Sequence, residues 1–501
     1  MCVFAWQFWL LLNGSGGLFS YVLDDAYIHL ALSENLMQGH YGVNLNEYSA
    51  PSSSILWSFL LAPFATWQYW PLVLNFSLSL IALWLWNAQL AKLFNNKQLD
   101  QLRFSLNTLF FIIANLIGMS FTGMENVLQL VVSLGICYGV FQLIDQKNSS
   151  LLLLSCIIIA PLVRYETITL SCIGLFFLVY NRYYSKAMIT LGLMLLPLIG
   201  FSFYLNSIGL GYMPSSISAK SSAMQSSALT ATLINFYNNL YEPTGSLLML
   251  LSVPLVWAGL IQYKQQPQKA LLTIGIAGVV LAHLALGRLG NWGRYEIYAW
   301  MSLVSTYVYI FHSQLIRWYL KPTFPRALGY AALLLVCIIC AKRYIVTSTM
   351  NHVGGANIAL QQMQMHRFIT DFWQQDVAVN DLGWVAYQND HYVLDLWGLA
   401  NTRALQLRKN QTPDMLKILT QEQNIKLAMI YEPWFEQEIP NDWQLIGSLH
   451  LPQGMRNMTS AEDSVQFFAT QESAALSIRQ YMIEFGKTLP AGAFIQIIGD
   501  E

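Results

Sequence analysis

The stretch Tyr21-Val-Leu-Asp-Asp-Ala-Tyr-Ile-His29 carries two adjacent carboxylates, Asp24 and Asp25, directly after the first apolar segment of the chain. A helix that crosses the hydrocarbon core of a membrane would reach the membrane surface at this point. Carboxylates at membrane depth are costly unless they are paired, hydrated or used, so the doublet is a candidate functional site. A polar end to one helix, followed by an aspartate that caps the next, would explain the same residues. The rest of the sequence has to decide between these two interpretations.

The composition is that of a membrane protein. Of the 501 residues, 55% are hydrophobic and only 11% are charged, whereas about a quarter of the residues in an average soluble domain are charged. The net charge of −1 gives no indication of a nucleic-acid partner. All six cysteines fall in apolar stretches, which predicts buried side chains, and their spacing matches neither a disulfide framework nor a metal site.

Apolar runs that could cross a lipid bilayer recur along residues 1–341, and we predict about eleven transmembrane helices. The first, over residues 3–22, is interrupted by Asn13-Gly-Ser-Gly-Gly17 and has no Lys or Arg before it. The missing basic residues argue against a cleaved signal peptide, and we expect the true start to lie upstream of Met1. Residues 52–66 are too short to cross and are predicted to form a juxtamembrane helix. The further spans are predicted over residues 70–91, 104–120, 123–144, 149–163, 167–181, 187–207, 245–263, 268–287, 295–313 and 325–341.

Basic residues in the predicted loops give the orientation. They fall on alternate loops, and the positive-inside rule makes these loops cytoplasmic. All the loops then alternate consistently between the two sides of the membrane, provided that residues 52–66 do not cross it. The outer face then receives residues 24–51, the loop 208–244 and everything after about residue 342. The charged residues near membrane depth collect on that face, together with the aspartate doublet. The basic residues that define the cytoplasmic loops are Lys92, Lys97, Arg103, Lys147, Arg182, Lys186, Lys264, Lys269, Arg317, Lys321 and Arg326.

After Lys342-Arg343 the composition becomes that of a soluble domain. We therefore predict two domains, a transmembrane domain over residues 1–341 and an extracytoplasmic α/β domain over residues 342–501. The second contains neither a Gly-rich phosphate loop nor a nucleophile elbow, so we expect it to act as a scaffold or to dock an acceptor. Its predicted strands are 376–380, 392–396, 425–431 and 494–498, and its predicted helices are 412–422 and 472–488.

Two carboxylates beside a membrane suit the transfer of a sugar from a lipid-linked donor to a hydroxyl. Because a hydroxyl is a weak nucleophile, one carboxylate would take its proton. The second could orient the first, bind a hydroxyl, or hold a divalent cation. The departing lipid phosphate would need a cationic partner, although each basic residue taken singly is more simply a snorkelling interfacial charge. The candidate partners are His40, Arg164, Lys220, Arg288 and Arg294.

Leu23-Asp-Asp-Ala-Tyr27, followed by Glu34-Asn35, Gly39-His40 and Ala50-Pro51, resembles the first outer loop of the GT-C superfamily of membrane glycosyltransferases. The nearest branch is the bacterial one that includes the mycobacterial arabinofuranosyltransferases. Further similarities follow in the same order along nearly the whole chain. Outer turns of that branch are similar to Thr122-Gly-Met-Glu125 and Val163-Arg-Tyr-Glu166. Its loop after the seventh helix is similar to Met213-Pro-Ser215 with Ala219-Lys220. Its extracytoplasmic domain is similar to Asn380-Asp-Leu-Gly383 with Asp395-Leu-Trp-Gly398.

The resemblance implies an inverting glycosyltransferase at the outer face of the bacterial inner membrane. Its donor would be a polyprenyl-phosphate sugar, and its acceptor a hydroxyl of an envelope glycan, a glycolipid or a protein. Tyr165 stands where the branch usually has proline, and Pro51-Ser-Ser-Ser54 replaces a stretch with glycine and threonine, which leaves the donor sugar and the subfamily open. The resemblance assigns catalysis to Asp24 and Asp25, with Asp25 as the base, substrate binding to Glu125, Arg164, Glu166 and Lys220, and phosphate contact to Arg294.

Other functions fit parts of the sequence. A transporter or flippase of lipid-linked saccharides should have ionisable residues or broken helices near mid-membrane. His283 is the main such residue, and packing is its simpler explanation. A polymerase of surface polysaccharide would also use the outer face. A non-catalytic scaffold would explain the C-terminal domain and leave the aspartate doublet without a purpose.

Overall fold

The computed structural model describes residues 1–216, 228–290, 292–321, 335 and 346–498. Nearly all of the predicted span 325–341, the predicted domain boundary at residue 341 and the candidate residue Lys220 lie outside these residues. The division into two domains therefore stays a prediction. We refer to residues 346–498 as the C-terminal region.

Residues 1–321 are largely helical, as their apolar runs predict. The helices, in chain order, are α1 (Cys2–Gly14), α2 (Asp25–Met37), α3 (Ile55–Leu61), α4 (Trp70–Leu93), α5 (Asp100–Ile113), α6 (Leu116–Ser120), α7 (Asn126–Gln146), α8 (Leu151–Val163), α9 (Ile168–Tyr180), α10 (Tyr184–Ser207), α11 (Ala228–Tyr241), α12 (Pro243–Gln262), α13 (Pro267–Leu286) and α14 (Ile297–Leu320).

Five helices of the described part are long and apolar enough to cross a membrane, namely α4, α7, α10, α12 and α13. In the most apolar 18-residue stretch of α7, 78% is buried inside the structure, whereas in that of α10 only 22% is buried. Helix α7 is therefore central, and α10 is peripheral with apolar side chains left for lipid. The chain is a helical membrane protein, while the count of about eleven spans stays a prediction.

The predicted span 104–120 is broken in the structure. Helix α5 ends at Ile113 and α6 begins at Leu116, because Asn115 adopts the left-handed conformation with φ 46°. Asparagine reaches this conformation more easily than most residues, and the Asn115 amide donates to the Trp292 carbonyl at 3.3 Å. A further difference lies in the predicted loop 208–244, which contains the 14-residue helix α11.

The prediction of a short helix within residues 52–66 is confirmed, while its juxtamembrane position stays a prediction. Helix α3 has seven residues and continues as a single 3-10 turn, Ala62–Phe64. Ser54 caps α3 by accepting a hydrogen bond from the Trp57 N–H at 3.1 Å. The segment is too short to cross about 30 Å of hydrocarbon, and α2 packs against it.

The C-terminal region contains a mixed six-stranded sheet in the order β2-β1-β3-β5-β4-β6. Strands β1, β2 and β3 are parallel, and the remaining pairs are antiparallel. Four strands and both helices fall where the sequence predicts them; β4 and β5 were not predicted. A bulge at Gly447 interrupts the alternation of β4, and a side chain there would collide with the Gln496 carbonyl of β6. The strands are β1 (Val377–Val379), β2 (Val393–Asp395), β3 (Leu427–Ile430), β4 (Gln444–His450), β5 (Ser464–Ala469) and β6 (Phe494–Ile497), and the two predicted helices are Met415–Glu422 and Ala475–Gly486.

The C-terminal region packs directly on α2 and on the loop residues before and after it, which together we call the first loop. The Trp384 ring stacks on Tyr27 with the ring centroids 4.1 Å apart, and its Nε1–H donates to Ser20 Oγ at 3.1 Å. The Asn44 side chain makes two hydrogen bonds to the backbone of Val393, at 2.9 and 3.0 Å. Residues far apart in the sequence thus form one interface, which holds the first loop against the segment that follows β1 and against the start of β2.

Gly383→Ala should destabilise the protein, because a Cβ at this position would overlap the main-chain oxygen and the carboxylate of Asp24. Overpacking of this kind costs roughly 1–3 kcal/mol. The measurement is thermal unfolding of the purified full chain in nanodiscs. Gly486→Ala is the matched control, since its Cβ would lie 3.7 Å from the nearest atom, in ordinary contact with Ile495. Equal unfolding midpoints for the two variants would contradict the interface as described.

Candidate functional site

The two carboxylates of the doublet point to different partners. Asp24 is buried, and its Oδ2 and Oδ1 accept hydrogen bonds from the backbone N–H groups of Gly383 at 2.6 Å and Trp384 at 2.8 Å. The Asp25 side chain is 46% exposed, and its Oδ2 accepts from Arg294 Nη2 at 2.7 Å. Asp24 therefore binds the C-terminal region, and Asp25 is the member of the doublet that solvent or a substrate can reach.

Asp24 also meets a second carboxyl group, that of Asp381, at the end of β1. The two carboxyl groups are close enough to interact directly. Burial raises the pKa of Asp24 well above its ordinary value, and the charge of Asp381 raises it further, against the opposing effect of the two N–H groups. Burial likewise raises the pKa of Asp381. Because two buried carboxylates in contact repel each other, the pair retains a proton above the pH at which aspartate ordinarily ionises.

Arg294 is the buried cation of the site. Its side chain is 2% exposed, and Nη2 donates both to Asp25 and to the Tyr295 hydroxyl, the latter at 3.1 Å. Its guanidinium lies over the Tyr295 ring, 4.9 Å from the centroid. Nε and Nη1 are buried without a hydrogen-bond partner among the described residues. Two nitrogen donors of Arg294 therefore have no acceptor among the described residues.

A second charged cluster, centred on Arg164, also contacts the Tyr295 ring. Arg164 donates from Nη1 to Glu125 Oε1 at 2.5 Å and from Nε to Glu166 Oε1 at 2.6 Å. Its guanidinium lies 5.3 Å from the Tyr295 ring centroid. His29 Nε2 approaches Glu125 Oε2 at 3.9 Å. Because Arg164 is neutralised by two carboxylates, it has less capacity for a further anion than Arg294.

The structure brings together five of the predicted site residues and adds others. Asp25, Glu125, Arg164, Glu166 and Arg294 are linked by ion pairs and by their shared contacts with Tyr295. Residues not predicted are His29, Tyr295 and Asp381. His29 could have been found, since it follows Asp25 by four positions and so shares its face of α2.

The remaining predicted residues lie elsewhere. His40 contacts its own loop, with Nε2 3.0 Å from the Glu47 carbonyl and its ring stacked on Tyr48. Arg288 is exposed on the segment that follows α13. Among the described residues no group of three His, Cys, Asp or Glu side chains is arranged to hold a metal ion. The divalent cation therefore stays a prediction to which no ligands are assigned.

Comparison with known proteins gives one match. A family model described as a domain of unknown function, DUF8728, matches residues 356–468. No curated protein matches the chain. The matched range contains β1 to β5, including the Gly383 and Trp384 N–H groups that bind Asp24. The match thus covers the part of the C-terminal region that contacts the first loop, and it names no activity.

The Asp24–Asp381 pair predicts a pH dependence of stability. Because burial raises these carboxyl pKa values in the folded state, the unfolded chain loses the protons first, and stability falls as the pH rises from the ordinary aspartate pKa of about 4 toward the raised folded-state values. In Asp381→Asn the amide can donate to the Asp24 carboxylate without a shared proton. The stability of this variant relative to wild type should therefore increase over the same pH range, measured by thermal unfolding in nanodiscs.

Asp442→Asn is the control for this titration. Asp442 is exposed, and hydrogen bonding to Lys417 lowers its carboxyl pKa, so its loss should give a pH-independent difference above pH 5. A pH-independent difference for Asp381→Asn as well would show that no proton is shared at Asp24.

Proposed function

We propose that the protein is an inverting glycosyltransferase that moves a sugar from a polyprenyl-phosphate donor to a hydroxyl acceptor. The observation that carries the proposal is the pairing of Asp25, which is half exposed, with Arg294, which is buried and whose Nε and Nη1 have no hydrogen-bond partner among the described residues. A base for the acceptor and a cation for the departing phosphate are the two groups that this reaction requires. Here they are adjacent.

In the proposed reaction, an Asp25 carboxylate oxygen accepts the proton of the acceptor hydroxyl. The acceptor oxygen forms a bond to the anomeric carbon while the bond from that carbon to the phosphate oxygen breaks, with inversion. The lipid phosphate leaves with the electron pair of the broken bond. Nε and Nη1 of Arg294 are the donors available for its added negative charge, and a buried guanidinium is well suited to a phosphate.

The other charged residues have positioning roles in this proposal. Arg164 is held by Glu125 and Glu166 and packs on the Tyr295 ring, which Arg294 also contacts. Asp24 fixes the start of α2 against the C-terminal region and so fixes the backbone of Asp25. Its buried carboxylate, which already accepts two N–H groups, is less suited than Asp25 to receive a substrate proton.

We place the reaction at the outer face of the bacterial inner membrane, with an envelope glycan, a glycolipid or a protein as the acceptor. Two observations support this: the basic residues fall on the loops opposite Asp25, and the C-terminal region, with its soluble composition, packs against the same first loop as the site.

Asp25→Asn should abolish transfer while leaving the protein folded, because the amide keeps the shape of the side chain but cannot accept the proton. Loss of a general base lowers the rate about 10²- to 10⁴-fold. The measurement compares surface glycans of a gene-deletion strain complemented with wild type or variant, using the sugar or linkage that the deletion strain lacks. Asp100→Asn, at an exposed aspartate paired only locally with Arg103, should restore the glycan fully.

Full restoration by Asp25→Asn at equal protein level would remove Asp25 from the mechanism. The same strains distinguish a transferase from a transporter or a flippase. With membranes of the deletion strain added as the source of acceptor, purified wild-type protein should release polyprenyl phosphate from the lipid-linked donor that accumulates in that strain, whereas a carrier would leave this donor intact.

The proposed orientation predicts an extracytoplasmic C-terminus. Alkaline phosphatase fused after residue 501 should be active, because it folds only outside the cytoplasm, and green fluorescent protein at the same position should be dark when exported by the general secretory route. A matched pair of fusions after residue 147, in a predicted cytoplasmic loop, should give the reverse pattern. Fluorescence of the fusion at residue 501 would overturn the orientation.

A further inference from the structure

A cavity of about 700 Å³ lies between the second half of α2, the following loop, the turn after α3 and the edge of the C-terminal region. Neither Asp25 nor Arg294 lines it. Glu34, which does, follows Asp25 by nine residues on α2, which corresponds to about 14 Å along a helix axis and half a turn out of phase. The cavity is therefore separate from the site of the proposed reaction, although both are built on the same helix.

The polar lining of the cavity is rich in amides, contains no lysine or arginine, and also includes Glu34, Asp376, Asp390, His391 and Tyr392. With three carboxyl groups and neither lysine nor arginine, the cavity is unsuited to a phosphate or another anion. Primary amides offer both donors and acceptors, as hydroxyl groups do. The amide side chains in the lining are those of Asn35, Gln38, Asn44, Asn46, Gln388 and Asn389.

The deeper part of this lining is held in place by hydrogen bonds. Glu34 Oε2 accepts from the Gln388 N–H at 3.1 Å, and Gln388 Nε2 donates to the Thr66 carbonyl at 2.8 Å. Burial raises the pKa of Glu34 to about 7. Near neutral pH the Glu34 carboxyl group is therefore protonated in a fraction of the molecules, where it can donate a hydrogen bond as well as accept one. Polar groups fixed in advance reduce the entropy lost on binding.

Between the amides the cavity presents small apolar surfaces, among them Ala31, Ala62 and Pro63. A sugar ring has hydroxyl groups around its edge and C–H groups on its faces, and it matches this alternation of polar and apolar surface. The volume is in the range of typical ligand sites, which are commonly found where domains meet.

We propose that this cavity binds a neutral saccharide through the hydroxyl groups of its sugar residues. The saccharide contacts the amides of the lining and the Glu34 carboxyl group, and its ring faces pack on the alanine and proline side chains. In the proposed reaction it is the acceptor glycan, held by a part of its chain remote from the reacting hydroxyl. That role rests on the proposed function, whereas the binding itself does not.

The test is a binding measurement on the full chain in nanodiscs, against immobilised neutral gluco-, manno-, galacto- and arabino-oligosaccharides. At least one of these should bind wild type and the inactive Asp25→Asn variant equally.

Asn46→Trp fills the cavity from its exposed rim and should weaken binding at least tenfold. Asn441→Trp, the same change at an exposed asparagine of the C-terminal region outside the cavity, should have no effect. If Asn46→Trp does not fold, Gln38→Trp fills the opposite rim.

One control makes the outcome decisive: a uronic-acid oligosaccharide should not bind. Absence of binding to all four neutral sets, or binding that the Trp variants leave unchanged, would overturn the proposal. Binding of spermine that is lost in Glu34→Gln, with no saccharide binding, would show instead that the cavity takes a polyamine. Saccharide binding without any transfer activity would leave this site intact and contradict only the proposed function.

Discussion

The carboxylate of Asp24 joins two parts of the chain that are hundreds of residues apart. It accepts the N–H groups of Gly383 and Trp384, at the carboxyl end of β1, beside β3. In open α/β sheets the carboxyl ends of neighbouring parallel strands commonly form a ligand-binding crevice. Here a side chain from the first loop occupies those N–H groups. The C-terminal region therefore uses this edge to hold the start of α2, which agrees with its lack of a phosphate loop and makes the position of Asp25 depend on the whole interface.

Arg164 and Arg294 are both buried, but they pair with different numbers of carboxylates. Arg164 faces two carboxylates, so its charge and most of its donors are satisfied. Arg294 faces one, and two of its nitrogens have no partner in the part of the chain that the structure describes. A buried donor left unpaired costs about 1–3 kcal/mol, and such exceptions call for an explanation. A site that takes an anion from a substrate provides one, because the same donors would then be paired when the substrate is bound.

The sequence predicts where charge collects but not how it is paired. The position of the doublet, the strands β1 to β3 and the choice of Glu125 and Arg164 as site residues follow from local patterns or from the family resemblance. The different partners of Asp24 and Asp25 do not, because the partner of Asp24 is a backbone 359 residues away. Asn115 breaks a predicted span through a conformation that hydropathy does not register. Tyr295, although adjacent to Arg294, matters only because the fold also brings Arg164 to its ring.

Helix α2 fixes the geometry between the two proposed sites. Nine of its thirteen residues are buried, on all sides of the helix, and both α3 with the turn after it and the C-terminal region pack against it. A helix so enclosed has little freedom to bend or rotate, so the separation of Asp25 and the cavity at Glu34 is set by its rise of about 1.5 Å per residue. A ligand that occupies the cavity and also reaches Asp25 must pass around the helix over this distance. A single sugar residue is too short to do so, so the two sites together would select an acceptor that is already a chain.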